Sequence, residues 1–92
     1  MATKTKGYFI VLNEKGLHTR PSTELVKCAA RFNANIFLRY RNYLVNAKSL
    51  LGILMLAAEK GAKIGIEAEG EDAERALSAI VQLAAHKFHI KY

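Results

Sequence analysis

The stretch Gly16-Leu17-His18-Thr19-Arg20-Pro21-Ser22 holds the residue types in this chain best suited to chemistry. A histidine stands between a glycine, where the backbone can turn sharply, and a proline, which suits the first turn of a helix because its missing N–H is not needed there. The N–H groups of a first helical turn make an anion site. Arg20 adds a fixed charge with several donors. These parts suit a phosphorylated imidazole. A neutral ring nitrogen attacks phosphorus as a nucleophile, and the helix end and Arg20 balance the charge on the phosphoryl oxygens. Transfer would be in line, with positioning and electrostatics supplying most of the catalysis. No side-chain base is needed when the attacking nitrogen is already unprotonated, as a histidine near neutral pH often is. On residue types alone, a histidine that only caps or decorates a helix start explains the segment at least as well.

The elements that must position this segment follow from periodicity. Tyr8 to Leu12 is β-branched and aromatic and reads as a strand, broken by Asn13-Glu14-Lys15-Gly16. Pro21 opens a helix whose apolar positions are Leu25, Ala29 and Phe32, with Val26 and Ala30 beside them. Asn33-Ala34-Asn35 ends it. Ile36, Leu38 and Tyr40 alternate with Phe37 and Arg39 as a second strand. Arg41-Asn42 reads as a tight turn, although Arg41 is less natural there than Asn or Gly. Tyr43-Leu44-Val45 returns as a third strand. Ser49 can cap a short helix from Leu50 to Ala58, closed by Gly61. Ile64, Ile66 and Ala68 mark a fourth strand, broken by Gly70. Glu71, Asp72 and Glu74 favour the start of a last helix with the stripe Leu77, Ile80, Val81, Ala84 and Phe88. The order is β-α-β-β-α-β-α, an α+β pattern. One antiparallel sheet with the helices on one face would bury every stripe, but periodicity does not give the strand order.

The whole chain, 92 residues at 51% hydrophobic, suffices for one domain and one modest core. Chemistry is then expected at the surface, shared with a partner. The formal charge of +6 attracts nucleic acid, lipid or acidic proteins without choosing among them. The four tyrosines and four phenylalanines form no recognisable nucleic-acid motif, and neither a stacking set nor a recognition helix is visible, so no nucleic-acid partner is expected. The apolar runs Tyr8–Leu12 and Leu50–Ala58 are too short for a signal core or a bilayer span. A single cysteine, Cys28, excludes an internal disulfide and fits a reducing cytoplasm as a small packed residue. His86 and His89 are three apart, half a metal site at most. Surface histidines account for them, and no metal or cofactor is expected.

Three ordered segments carry a family resemblance. Gly16-Leu17-His18-Thr19-Arg20-Pro21 resembles the active-site signature of the histidine-containing phosphocarrier (HPr) family of the bacterial phosphoenolpyruvate-dependent phosphotransferase system. Val45-Asn46-Ala47-Lys48-Ser49-Leu50-Leu51-Gly52 resembles its regulatory-serine segment. Ala68-Glu69-Gly70-Glu71-Asp72-Ala73 resembles the start of its last helix. The resemblance implies an open-faced β-sandwich, a four-stranded antiparallel sheet with three helices on one face. It implies that His18 takes a phosphoryl group on Nδ1 from Enzyme I, originating in phosphoenolpyruvate, and gives it to a histidine of an Enzyme IIA-type protein. Arg20 would bind the phosphate. The chain would be a cytoplasmic carrier in sugar uptake or its control, not a stand-alone catalyst, and would act as a monomer off the membrane.

Ser49 would be a regulatory site wherever the host has an HPr kinase/phosphorylase. Phosphorylation there adds about −2 charge at a helix start, while an ordinary N-cap explains the serine as well. Lys27 and Lys48, with Arg20, are candidates for a basic rim, and Leu50, Leu51 and Leu54 for an apolar centre that speeds and seats acidic partners. A purely regulatory, nitrogen-type carrier and a small basic nucleic-acid-binding domain are the competing readings. The high positive charge, Ser22 in place of the common alanine, the Arg41-Asn42-Tyr43 turn and the aromatic tail depart from the usual family pattern.

Overall fold

A computed structural model describes residues 3–90. The elements are β1 (Thr3–Ile10), α1 (Thr19–Ala30), β2 (Asn35–Tyr40), β3 (Tyr43–Asn46), α2 (Leu50–Met55), β4 (Lys63–Gly70) and α3 (Ala73–Ala85), followed by a short 3-10 turn at Lys87–His89. The strands form one antiparallel sheet in the order β1-β4-β2-β3. The first and fourth strands are therefore neighbours, which no local pattern could indicate. The result is the open-faced sandwich, three helices on one face of a four-stranded sheet. Among the described residues, no helix is long and apolar enough to cross a membrane.

Alternation decides which side of the sheet is inside. Phe9, Ile36, Leu38, Ile64, Ile66 and Ala68 are buried, and the residues between them point away from the helices. Leu25 and Ala29 of α1, Ile53 of α2, and Ala73, Ala76, Ile80 and Ala84 of α3 close the core from above. The alanines let α3 lie close to the sheet, since a short side chain brings the backbones together while still excluding water.

Several boundaries differ from the periodic reading. β1 starts at Thr3, not Tyr8, and ends at Ile10, because residues 3–7 pair along β4 from Gly70 onward. A lysine-rich edge segment can be a strand when its ladder is completed by a neighbour. Pro21 is the third residue of α1, still within the turn whose N–H groups have no carbonyl to meet. Phe32 lies beyond the end of α1, half-buried, and Ala30 is exposed. α2 stops at Met55, short of Ala58, and Ala57 takes a positive φ of 50°. In the β2–β3 turn the positive φ falls on Arg41 (56°), whose guanidinium lies 5.1 Å from the Tyr40 ring centre. That contact offsets part of the strain of a non-glycine residue there.

The largest departure is Phe88. It is not on the α3 stripe, because the helix ends at Ala85 and Lys87, Phe88 and His89 have φ values of 54°, 56° and 62°. Successive left-handed residues are costly and persist only where packing compels them. Here Phe88 is fully buried and meets Phe9 edge to face, with ring centres 5.7 Å apart. The buried Asn13 amide donates to the carbonyls of Lys87 (3.0 Å) and Ile90 (3.4 Å). Leu77 is only half-buried and Val81 is exposed, so the stripe read from sequence covers more of α3 than the core takes. Replacing Phe88 by alanine is expected to cost about 3–5 kcal/mol in denaturant unfolding. A loss under about 1 kcal/mol would mean that the turn does not depend on this ring.

Asp72 precedes α3 but does not cap it through its side chain. Its carboxylate instead accepts the N–H groups of Asn33 and Ala34, both at 2.8 Å, tying the α1–β2 turn to the base of α3. The Asn33 N–H foremost, then the Ala34 N–H, hold this carboxyl below the usual aspartate range. A folded-state pKa below the unfolded value stabilises the protein above the unfolded pKa, and the gain is lost as pH falls through the folded one. The melting temperature should therefore fall as pH drops below about 4. Asp72→Asn should lower it near neutrality and flatten that acid limb. A parallel shift of the whole curve would count against this origin.

Candidate functional site

The His18 loop is built on backbone contacts between two chain segments. After β1, the Val11 N–H donates to the Ala62 carbonyl (2.9 Å) and the Gly61 N–H to the Val11 carbonyl (2.7 Å). The Gly16 N–H then closes a turn onto the Asn13 carbonyl (2.9 Å), and the Leu17 N–H donates to Ala58 (2.9 Å). Gly16 has a φ of +69°, and a Cβ there would run into the Ala58 carbonyl oxygen and come within 2.9 Å of the Glu59 Cα. Both the backbone angle and the space require glycine. Leu17 is buried, so its side chain anchors the loop from below.

His18 is the N-cap residue of α1, with φ −75° and ψ −173°. Its side chain makes no capping hydrogen bond, so capping does not explain this histidine. Its carbonyl accepts the Ser22 N–H at 3.1 Å, which starts the helix. The Nε2 edge of the half-buried ring is sealed from solvent. No acidic residue occupies the first turn of α1, so the positive helix end is not neutralised there by its own chain. Arg20 is exposed in that turn. Ser22, fully buried, donates its hydroxyl to the Leu17 carbonyl at 2.9 Å. A serine fits here because it finds an acceptor within the loop.

Ser49 is the N-cap of α2, and its Oγ accepts the Gly52 N–H at 3.0 Å. It lies at the far end of α2 from the Ala58 carbonyl that meets the His18 loop. Lys48 is half-buried, and its ammonium donates to the Phe32 carbonyl at 2.7 Å, just past the C-terminal end of α1. Its charge thus sits where the helix dipole favours a cation. Lys27 is in the last turn of α1, paired with Glu24 at 3.3 Å, roughly 13 Å along the helix from His18. Of the proposed basic rim, only Arg20 shares the end of α1 that carries His18.

Leu51 is 70% exposed, Leu50 is at the edge of exposure and Leu54 is half-buried. Met55, which sequence reasoning missed, is 61% exposed. Its signal was present, because Met55 is four residues after Leu51 and shares its helical face. Leu51 and Met55 run along α2 toward the segment that contacts the His18 loop.

Cys28 is buried, and burial pushes its thiol above the usual range, in keeping with a packed residue. His86 and His89 have ring centres 6.4 Å apart, and the His86 Nδ1 is 2.8 Å from the Gln82 carbonyl. Among the described residues no group of three or more metal-binding side chains converges.

The open-faced sandwich with a histidine at the start of its first helix places the chain in a class of small α+β domains. The family model for the PTS HPr component phosphorylation site matches residues 6–86. The chain is similar to HPr-C-His from Thermoanaerobacter tengcongensis, with 35% identity and a TM-score of 0.90 over 96% of this chain and 99% of that one. It is similar to the phosphocarrier protein HPr of Bacillus anthracis, with 40% identity and a TM-score of 0.82 over 87% and 95%. It is also similar to Crh, the Bacillus subtilis catabolite repression protein described as a domain-swapped dimer, with 33% identity and a TM-score of 0.73 over 82% and 86%. This chain belongs to the HPr phosphocarrier family of the phosphotransferase system.

Gly16→Ala is expected to destabilise the protein by about 2–4 kcal/mol through strain and overpacking. Chemical denaturation checks this, and a change within about 0.5 kcal/mol would mean that the Ala58–Glu59 backbone yields freely.

Proposed function

We propose that the chain accepts a phosphoryl group on His18 Nδ1 from Enzyme I and passes it to a histidine of an Enzyme IIA-type protein. The observation that carries this reading is an imidazole at the N-terminal end of α1 that does not cap its helix and whose Nε2 is sealed from solvent. The family match, which spans this segment, supports it. In the accepting step, the lone pair of His18 Nδ1 forms the new N–P bond while the N–P bond on Enzyme I breaks and its electron pair returns to that donor nitrogen. The delivering step repeats this exchange with His18 as the leaving group. Arg20 and the N–H groups of the first turn offset the charge on the three equatorial oxygens. In this role the chain is a cytoplasmic carrier of the phosphoryl group between two partners and not a stand-alone catalyst. In this reading the carrier acts as a monomer.

The exposed Leu51–Met55 face of α2, with Leu50 and Leu54 at its sides, supplies the apolar part of the docking surface. Ser49 is the regulatory site of this reading. A phosphoryl group on its Oγ would bring negative charge to the start of α2 and to the end of the apolar face remote from His18. The change would act on docking and not on the imidazole directly.

Incubation with Enzyme I, Mg²⁺ and phosphoenolpyruvate should add one acid-labile, base-stable phosphoryl group, read by intact mass and lost in His18→Ala. An unchanged mass under conditions that modify a control HPr would defeat the assignment. Arg20→Ala should keep the fold and slow transfer by about 10-fold or more, the worth of a hydrogen bond to a charged group. An unchanged rate would remove Arg20 from the role.

A further inference from the structure

The positive charge and the exposed rings are not used by the phosphocarrier reading, and the structure gathers part of both on the sheet face opposite the helices. The outward residues there are known from the register. Tyr8, Gly65, Arg39 and Leu44 form one row across all four strands, with Ile10 and Lys63 beside it. Tyr8 is 53% exposed, Leu44 49% and Ile10 38%. In the next row toward Thr3, Phe37 is 37% exposed. Four cations (Lys4, Lys6, Lys63 and Arg39) share this face with two carboxylates, Glu67 and Glu69. Both carboxylates lie toward the Thr3 end, and the Arg39 Nε holds Glu67 at 2.8 Å. The half of the face around Tyr8 and Lys63 carries no acid.

Gly65 supplies an independent observation. It stands mid-strand in β4, between Tyr8 and Arg39. A glycine there weakens a strand. Neither space nor backbone angle requires it, because a Cβ at this position would meet the Arg39 Cβ at 3.6 Å, an ordinary contact, and its φ is not left-handed. A glycine that packing does not need often marks a surface that something approaches closely. Its effect is a gap in the side chains of that row, a slot between the positions of Tyr8 and Arg39.

We infer that this open face binds a single-stranded polynucleotide, with a base seated on Tyr8 across the Gly65 slot and phosphates on Lys63 and Arg39. Exposed rings between cations favour this occupant, since any base can stack on an aromatic face while the cations follow the backbone. Phe37 is roughly 12 Å from Tyr8 across the sheet and forms a second platform. The Lys63 ammonium now lies 4.3 Å from the Tyr8 ring centre; it would move from the ring to a phosphate as a base takes its place. An acidic protein would use the cations but has no need of the slot. The face is on the other side of the sheet from α1 and α2, so this binding is separate from the phosphocarrier reading and does not rest on it.

The test is fluorescence anisotropy of a labelled single-stranded oligouridylate of about 12 nucleotides with the full chain. Saturable binding is expected, weakening about tenfold between about 50 and 200 mM salt if two or three phosphates are neutralised. Tyr8→Ala and Gly65→Val should each weaken it by about fivefold or more. Gly65→Val should keep or raise the melting temperature, because valine is the better strand residue, so its effect on binding cannot come from unfolding. Arg31→Gln, on the helix layer, should leave affinity within about twofold. Absence of saturable binding at the lower salt overturns the proposal. Binding that both face variants leave intact, or that Arg31→Gln weakens equally, also overturns it as attraction to net charge. Displacement by polyglutamate with no effect of Tyr8→Ala would reassign the face to an acidic protein.

Discussion

The pairing of β1 with β4 is the constraint on which the rest of this molecule depends. Eight residues of each strand align from Thr3 opposite Gly70 to Ile10 opposite Lys63. The pairing makes β4 an inner strand, hydrogen-bonded on both sides along most of its length. It is a long-range contact, so its loop-closure entropy must be met by burial. Phe9, Ile64 and Ile66 supply that burial on the helix side of the ladder. Where the pair ends, Val11 bonds to Ala62 and Gly61 bonds to Val11. The backbone after β1 is thereby held against the backbone before β4, and the His18 loop is suspended between them.

Everything about the candidate site follows from that meeting of segments. Gly16 touches Ala58 and Glu59 because the two loops must pass within backbone contact. The close approach sets the direction in which α1 leaves, and His18 is placed at its positive end with the Nε2 edge turned inward. Below the loop, Asn13 joins the same region to the left-handed turn that holds Phe88 in the core. The C-terminal turn, the sheet and the His18 loop therefore form one packed unit. A surface histidine gains a defined orientation this way even though the domain is too small to enclose it.

The two faces of the sheet have different work. The helix side is apolar and closed, with alanines letting α3 approach. The other side keeps a tyrosine, a glycine and an arginine in one row, with a second ring and further cations in the rows beside it. An antiparallel sheet can carry water on one face without loss of the fold, so the outer residues are released from packing and can be chosen for contact. The positive charge of this chain is in part a property of that released face.

Much of the fold was legible in the sequence because its signals are local. Alternation marked Ile36, Leu38, Ile64, Ile66 and Ala68 as the inside of strands, and Ser49 was readable as an N-cap from its place before Leu50. The Gly16–Pro21 segment announced a turn, a histidine and a helix start, and family resemblance linked that order to a phosphocarrier. Other features depend on residues far apart in the chain. The adjacency of β1 and β4 made a strand of Thr3–Lys6. The fit of Phe88 against Phe9 drew it off the helical stripe into a left-handed turn. The Ala58 carbonyl beyond α2 met the Leu17 N–H of the His18 loop, and the phenylalanine carbonyl past α1 took the Lys48 ammonium. Periodicity says which way a side chain points relative to its own backbone. Only the packing of distant elements decides what it meets, because burial and contact are properties of the assembled layers and not of any one segment.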